Sequence, residues 1–343
     1  MTGRALRRRA VMAGVAALPL APPAAAAVNY DEAKARAQGE LTWYVSQMDG
    51  PTTEAVGNAF RAVSGIKVNV IRITTQVGYQ RVRQEIRARA MICDVLSTTD
   101  IAQYITLQKQ NELASVTPPG IAALGPEFRG FNDSGAYYPT YAGEVVLARN
   151  TTSVPEARAP QKWTDLLDPR WKGKITLGHP AFSGYSGNWT VLMLQAHGRP
   201  FLEALAKQDP LVSRSIIDTV TMLNSGERTI GISPSASVIA SKAQGNPIDI
   251  IYPEDGAILM IAPSAVLAKA PHPDAGRAFL DFMFTPEYTR IIAKSGSISL
   301  RPDVPQAPGS RPLEQIKTIQ ATQQQALVDL PKAIEEWRDI FGA

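Results

Sequence analysis

The sequence predicts an α/β protein made of two α/β domains joined by two crossing strands. Three observations carry this. The chain has 343 residues, 45% of them hydrophobic, which suits one large or two medium cores rather than a small domain. Strand-like and helix-like patterns alternate over residues 41–107. A strand-like run over residues 141–149 is followed by a proline-punctuated break, and the pattern that follows is a new one.

The first strand is Leu41 to Val45, and it opens the mature chain. It ends in the polar loop Ser46-Gln47-Met48-Asp49-Gly50. Pro51 suits the first turn of a helix, and Val56, Ala59, Phe60 and Val63 give that helix one apolar face. Lys67 to Ile73 is a second strand, closed by Thr74-Thr75-Gln76, and Tyr79, Val82 and Ile86 mark the next helix. Ile92 to Leu96 is the third strand, closed by Ser97-Thr98-Thr99-Asp100, with a helix carrying Ile101, Tyr104 and Leu107 behind it. Cys93, the only cysteine, falls in this apolar strand and reads as a packed core thiol. In open α/β sheets ligands sit at the carboxyl ends of the strands. That makes Ser46, Gln47, Asp49, Thr75, Gln76, Thr98 and Thr99 candidate contacts.

Residues 117–139 are rich in proline, glycine and aromatics and read as an irregular connection, with Tyr137-Tyr138 as packing. Tyr141 to Arg149 is the first crossing strand, and Tyr141 stands at the cleft. Beyond it, Lys174 to Leu177, Thr229 to Ile232 and Ile248 to Tyr252 are strands, with helices near 187–197 and 199–207. Ala257 to Leu267 carries the chain back. Helices are expected over Pro273 to Phe284 and Pro331 to Phe341. The boundaries expected are residues 28–145 with 258–310 for the first domain and 146–257 for the second. Residues 311–343 form C-terminal helices packing on the second domain or the hinge.

Charge excludes one class of partner. The formal net charge is +4, but four of the 35 Lys and Arg residues are Arg4, Arg7, Arg8 and Arg9. Residues 1–27 hold no acid, so the remaining 31 bases balance the 31 acids. The basic excess therefore does not argue for nucleic acid. It belongs to a segment with a charged start, an apolar stretch from Val11 to Leu18 and the run Ala24 to Ala27, which reads as an export signal cleaved near Ala27. Arg8-Arg9-Ala10-Val11-Met12 reads as twin-arginine. With no later apolar run of spanning length, a soluble periplasmic protein without stable membrane insertion is expected.

The run Trp163-Thr164-Asp165-Leu166-Leu167-Asp168-Pro169-Arg170-Trp171-Lys172-Gly173-Lys174 resembles a signature of the family 1 extracellular solute-binding proteins, the receptors of ABC importers. Tyr252-Pro253-Glu254-Asp255-Gly256, Ala270 to Met283 and Thr285-Pro286-Glu287 resemble further pieces of that family in the same order. The resemblance implies a type II periplasmic binding protein-like fold with a ligand cleft closed by hinge bending. It also implies delivery to an inner-membrane ABC permease, and a monomer without cofactor. Trp163 and Trp171 read as packing anchors of the second domain, and Asp165 and Asp168 as turn and cap residues.

Within the second domain, Gly178 to Asn188 places Ser183, Gly184, Tyr185 and Ser186 at a helix start, where free N–H groups favour an anion. Ser233-Pro234-Ser235 repeats this logic. A small organic anion is therefore expected: a phosphonate, phosphate ester or carboxylate. Asp49, Asp100, Glu254 and Asp255, with Trp43, Tyr44 or Tyr185, would add an ammonium site. Ferric-iron receptors among the resembling proteins use consecutive tyrosines after the second-domain strand. That place here is Ser233-Pro234-Ser235, so iron binding without a tyrosine pair is the alternative. His179, His197 and His272 are scattered and suggest no metal site. A secreted serine hydrolase using Ser186 is the reading from another class. Gly184-Tyr185-Ser186-Gly187 lacks the spacing of a nucleophile elbow, so no catalysis is expected.

Overall fold

The computed structural model describes residues 30–131 and 134–342; the expected export signal lies outside them. Ten strands form one sheet: β1 (Glu40–Val45), β2 (Lys67–Arg72), β3 (Val95–Ser97), β4 (Tyr138–Asn150), β5 (Ile175–Gly178), β6 (Leu211–Ser213), β7 (Ile230–Pro234), β8 (Ile248–Ile251), β9 (Ala257–Val266) and β10 (Thr318–Ile319). The main order is β2-β1-β3-β9-β4-β7-β5-β6, with β8 beside the end of β4 and β10 beside the start of β9. Strands β2, β1 and β3 are parallel, as are β7, β5 and β6. The two parallel ends are joined by β4 and β9, which pair antiparallel from Tyr138↔Ser264 to Val145↔Ile258. All 13 residues of β4 are buried, as a strand in the middle of a covered sheet requires.

Among the described residues twelve α-helices cover this sheet: α1 (Glu32–Gln38), α2 (Gly50–Ser64), α3 (Thr75–Ala88), α4 (Ile101–Lys109), α5 (Pro126–Arg129), α6 (Gly184–His197), α7 (Arg199–Ala206), α8 (Asp218–Ser225), α9 (Ser235–Ala243), α10 (Pro273–Phe282), α11 (Pro286–Lys294) and α12 (Gln323–Phe341). The described part opens with α1 and not with a strand. The Asp31 carboxylate caps α1 by accepting from the Lys34 N–H.

Two strands differ from expectation for identifiable reasons. The third strand covers only Val95–Ser97, because the Ile92 and Cys93 N–H groups donate to the Glu85 carboxylate (3.0 and 3.2 Å) instead of a ladder. Cys93 itself is fully buried, and burial raises its thiol pKa well above the ordinary value. The crossing strand β4 starts three residues earlier than expected, passing Pro139 by a register shift between Pro139 and Tyr141. A proline has no N–H to donate, which is why the ladder slips there.

The signature run anchors the second end of the sheet. Trp163 is buried, donates its indole N–H to the Gly256 carbonyl (2.9 Å) and meets Trp189 edge-on. Asp165 accepts from the Gln161 and Lys162 N–H groups, and Asp168 from that of Arg170. The last helix is longer than expected: α12 runs through Pro331 and starts at a capping box of Thr322 and Gln325. It packs on α6 and α7 at one end of the sheet and on α4 at the other.

Candidate functional site

A cavity of about 260 Å³ lies at the carboxyl ends of β1, β3 and β7 and beside the loop after β5. Each wall follows from local sequence. Ser46, Gln47 and Asp49 continue β1; Thr74 and Thr75 follow β2; Thr99 follows β3; Phe182 and Ser183 follow β5; Pro234 ends β7. Tyr141 reaches it from β4, and Ser297 from the segment after α11.

Helix starts converge on this space; that of α8 is uncapped but carries the acidic Asp218 in its first turn, and the others divide into two kinds. Asp49 caps α2 with its own carboxylate, accepting from the Thr52 N–H at 2.8 Å. The helices α3, α6 and α9 begin after Thr74, Ser183 and Pro234, and none of these makes a side-chain cap bond. Their first turns keep the positive end of the helix dipole without a side-chain acceptor, the arrangement that attracts an anion. Beside them runs a chain of hydroxyls: Ser46 Oγ to Thr75 Oγ1 at 2.8 Å, and Thr75 Oγ1 to Thr99 Oγ1 at 2.8 Å. Each hydroxyl can turn its proton toward a ligand oxygen.

Deeper in the wall, Tyr141 accepts a hydrogen bond from Ser297 Oγ at 2.9 Å. Tyr185 is buried, and its hydroxyl pairs with that of Tyr141. Burial raises the pKa of both phenols, that of Tyr185 far above its ordinary value, so both are neutral. Gln47 is buried; its side-chain nitrogen donates to the Pro263 carbonyl at 2.6 Å and the Thr98 carbonyl at 3.3 Å. The charged lining residues are Asp49, Asp218 and Arg72, and Arg72 Nε donates to the Met48 carbonyl at 3.0 Å.

Eight of the sequence candidates line the cavity: Ser46, Gln47, Asp49, Thr75, Thr99, Tyr141, Ser183 and Tyr185. The others do not, each for a structural reason. Gln76 turns to Asp100 Oδ2 at 3.4 Å. Thr98 is enclosed with Gln103 and the Tyr104 hydroxyl. Gly184 presses against the Thr99 backbone. Ser186 Oγ is buried over Gly178 with no hydrogen-bond partner. Ser233 bonds to Thr219 Oγ1 at 2.6 Å, and Ser235 donates to the Glu144 carboxylate. Asp255 accepts from the Trp163 N–H at 3.1 Å. Trp43 and Tyr44 are fully buried and cannot stack on a ligand; Asp100 caps α4.

Sequence reasoning missed Arg72, the segment Ser215 to Asp218, and the Ser295–Ser297 turn. The β6 strand before Ser215 is only three residues long and has no periodicity to mark it. The Ser-Gly-Ser stretch after α11 did carry a loop signal. No cluster of three or more His, Cys, Asp or Glu residues that could hold a metal ion occurs among the described residues.

Comparison with known proteins agrees with this architecture. Residues 94–318 match the family described as bacterial extracellular solute-binding protein. The spermidine/putrescine-binding periplasmic protein of Escherichia coli is 24% identical over 167 residues, 46% of this chain. That match spans 47%, about half, of the relative's own length. A putative 2-aminoethylphosphonate-binding periplasmic protein of Salmonella typhimurium is 23% identical over 321 residues, 88% of each chain. Among solved structures, the periplasmic binding protein AfuA of Actinobacillus pleuropneumoniae, with exogenous fructose-6-phosphate bound, superposes with a TM-score of 0.80. It is 21% identical and covers 89% of this chain and 99% of its own. Iron-bound HitA of Pseudomonas aeruginosa gives a TM-score of 0.75 at 22% identity, covering 88% and 99%. The fold is that of the type II periplasmic binding proteins, and the chain belongs to the bacterial extracellular solute-binding proteins.

Proposed function

We propose that this protein captures a small organic anion, a phosphonate, phosphate ester or carboxylate, and delivers it to an inner-membrane ABC permease. The observation that carries the reading is the set of three helix starts without side-chain caps beside the Ser46–Thr75–Thr99 hydroxyl chain. In this reading residues 28–145 with 258–310 form one domain, residues 146–257 form the other, and β4 and β9 are the hinge. Ligand contacts to both sides shift the population toward the closed form by the ligand's differential affinity for it. The protein works in the periplasm as a monomer, and family membership together with the periplasmic relatives supports that location.

A thermal-shift panel of phosphonates, phosphate esters, carboxylates, neutral sugars and metal ions tests this. The expected result is a rise in melting temperature with one class of organic anion. A rise with neutral sugars or metal ions alone contradicts it.

A second reading, ferric iron, is favoured by the presence of Tyr141 and Tyr185 in one cavity, a pair not adjacent in sequence. Appearance of a tyrosinate-to-iron charge-transfer band on adding ferric citrate would establish iron in place of the organic anion.

A further inference from the structure

The corner of the cavity formed by the Ser46–Thr75–Thr99 hydroxyl chain and the uncapped helix starts suits an acidic group. The rest of the lining is of another kind. Met48 and Ile73, which follow β1 and β2, face the same space as Phe182, Ile216 and Ile217, which follow β5 and β6. Ile73, Phe182 and Ile217 are only half-buried, so they keep apolar surface that a solute can cover. Apolar side chains thus enter the cavity from both ends of the sheet.

Phe182 is held in place. The Arg214 guanidinium lies over its ring, 4.6 Å from the centroid, and the His179 ring meets it at 5.1 Å with a 56° tilt. His179 in turn packs against Trp337 of α12 at 5.9 Å, so the Phe182 ring stands as a fixed wall. A polyol body would need free hydrogen-bonding groups here. Three serines in this part of the lining are already engaged. Ser215 Oγ accepts from the Ile217 N–H at 3.3 Å, Ser295 Oγ donates to the Ile292 carbonyl at 2.7 Å, and Ser297 Oγ donates to Tyr141 at 2.9 Å. Hydroxyls set against the remaining apolar walls would lose water without replacement, at a cost in free energy.

Resting on the proposed capture of an organic anion, we propose that the solute carries a compact apolar body beside its acidic group, and that Phe182 and Ile73 grip this body from opposite sides. A cavity of about 260 Å³ admits a body the size of an aromatic ring. Its surface leaves water at both residues only when the two sides come together, so its burial favours the closed form.

Calorimetric titration of the full chain tests this with three ligand pairs of matched acidic group. They are phenylphosphonate against 2-hydroxyethylphosphonate, phenyl phosphate against glycerol 3-phosphate, and benzoate against glycerate. The apolar member of at least one pair should bind about 10- to 100-fold more tightly than its partner, the gain from burying a ring-sized apolar surface. That ratio should fall at least about threefold in Phe182→Ala and in Ile73→Thr. Thermal unfolding is recorded alongside, and the milder Ile73→Thr carries the test if Phe182→Ala does not fold. Equal binding within every pair, or tighter binding of the polar members, overturns the apolar body and leaves anion capture standing. An unchanged ratio in the folded variants overturns the grip by these two residues. If no member of any pair binds, anion capture by this cavity fails, and the assignment fails with it.

Discussion

Gly184 and Thr99 meet so closely that a Cβ on Gly184 would lie 2.3 Å from the Thr99 carbonyl oxygen. Gly184 opens α6 at one end of the sheet, while Thr99 follows β3 at the other, so the contact joins the two sides of the cavity. The obstacle is backbone and cannot swing away. We expect Gly184→Ala to hold the cleft open. Affinity should fall at least about tenfold, and scattering should show no compaction on ligand addition. Thermal unfolding recorded alongside separates loss of closure from loss of fold. Normal affinity in this variant would mean that the two sides do not approach as the structure shows.

Ser183 and Ser235 separate ligand contact from structural support. Ser183 lines the cavity without capping α6. Ser183→Leu should weaken binding about tenfold or more and leave the melting temperature within about two degrees of the original. Ser235 instead donates to the buried Glu144 carboxylate, 91 positions away in sequence. Ser235→Ala should cost about 1–3 kcal/mol of stability by stranding that carboxylate. Ligand titration and urea denaturation on both variants would reveal a reversed pattern if the assignment is wrong.

Glu144 also sets a pH dependence. Burial raises its pKa to about 6, against the favourable hydrogen bond from Ser235. The folded form therefore holds its proton more tightly than the unfolded chain does. The resulting penalty is full above pH 6 and fades as pH falls through 6 toward the ordinary carboxylate range. Asp100, pushed up to about 6 by burial, acts in the same direction. In Glu144→Gln the stability difference between pH 8 and pH 4.5 should shrink by roughly 2 kcal/mol. Urea midpoints at the two pH values check this, and an unchanged difference would remove Glu144 from the account.

The last helix is tied to the cavity's second wall. Leu330 of α12 sits over Gly187 of α6, where a Cβ would come within 2.7 Å of its side chain. It is buried with Val191 and Ala333. Leu330→Ala should cost about 2–5 kcal/mol as a core truncation. A chemical denaturation curve gives the value, and a loss under about 0.5 kcal/mol would show that α12 is not firmly seated.

Much of the cavity was legible because strand ends announce themselves. Ser46, Thr75, Thr99 and Ser183 each follow a β-branched or apolar run that turns polar where a helix begins. Ser233, Ser235 and Asp255 show the same chemistry but are engaged elsewhere. Their partners, Thr219, Glu144 and the Trp163 N–H, are fixed by tertiary packing that local pattern does not encode. The early start of α12 was written in Thr322 and Gln325, but Pro331 masked it: proline reads as a helix start more readily than as an interior residue.

The central claim is that an organic anion lies against the uncapped starts of α3, α6 and α9. The most direct measurement is a crystal structure with the anion that raises the melting temperature most. The account predicts its acidic group within hydrogen-bond distance of Thr75 or Ser183 and of the first N–H groups of those helices. An anion held outside this cavity, or a ferric ion on Tyr141 and Tyr185, would contradict it.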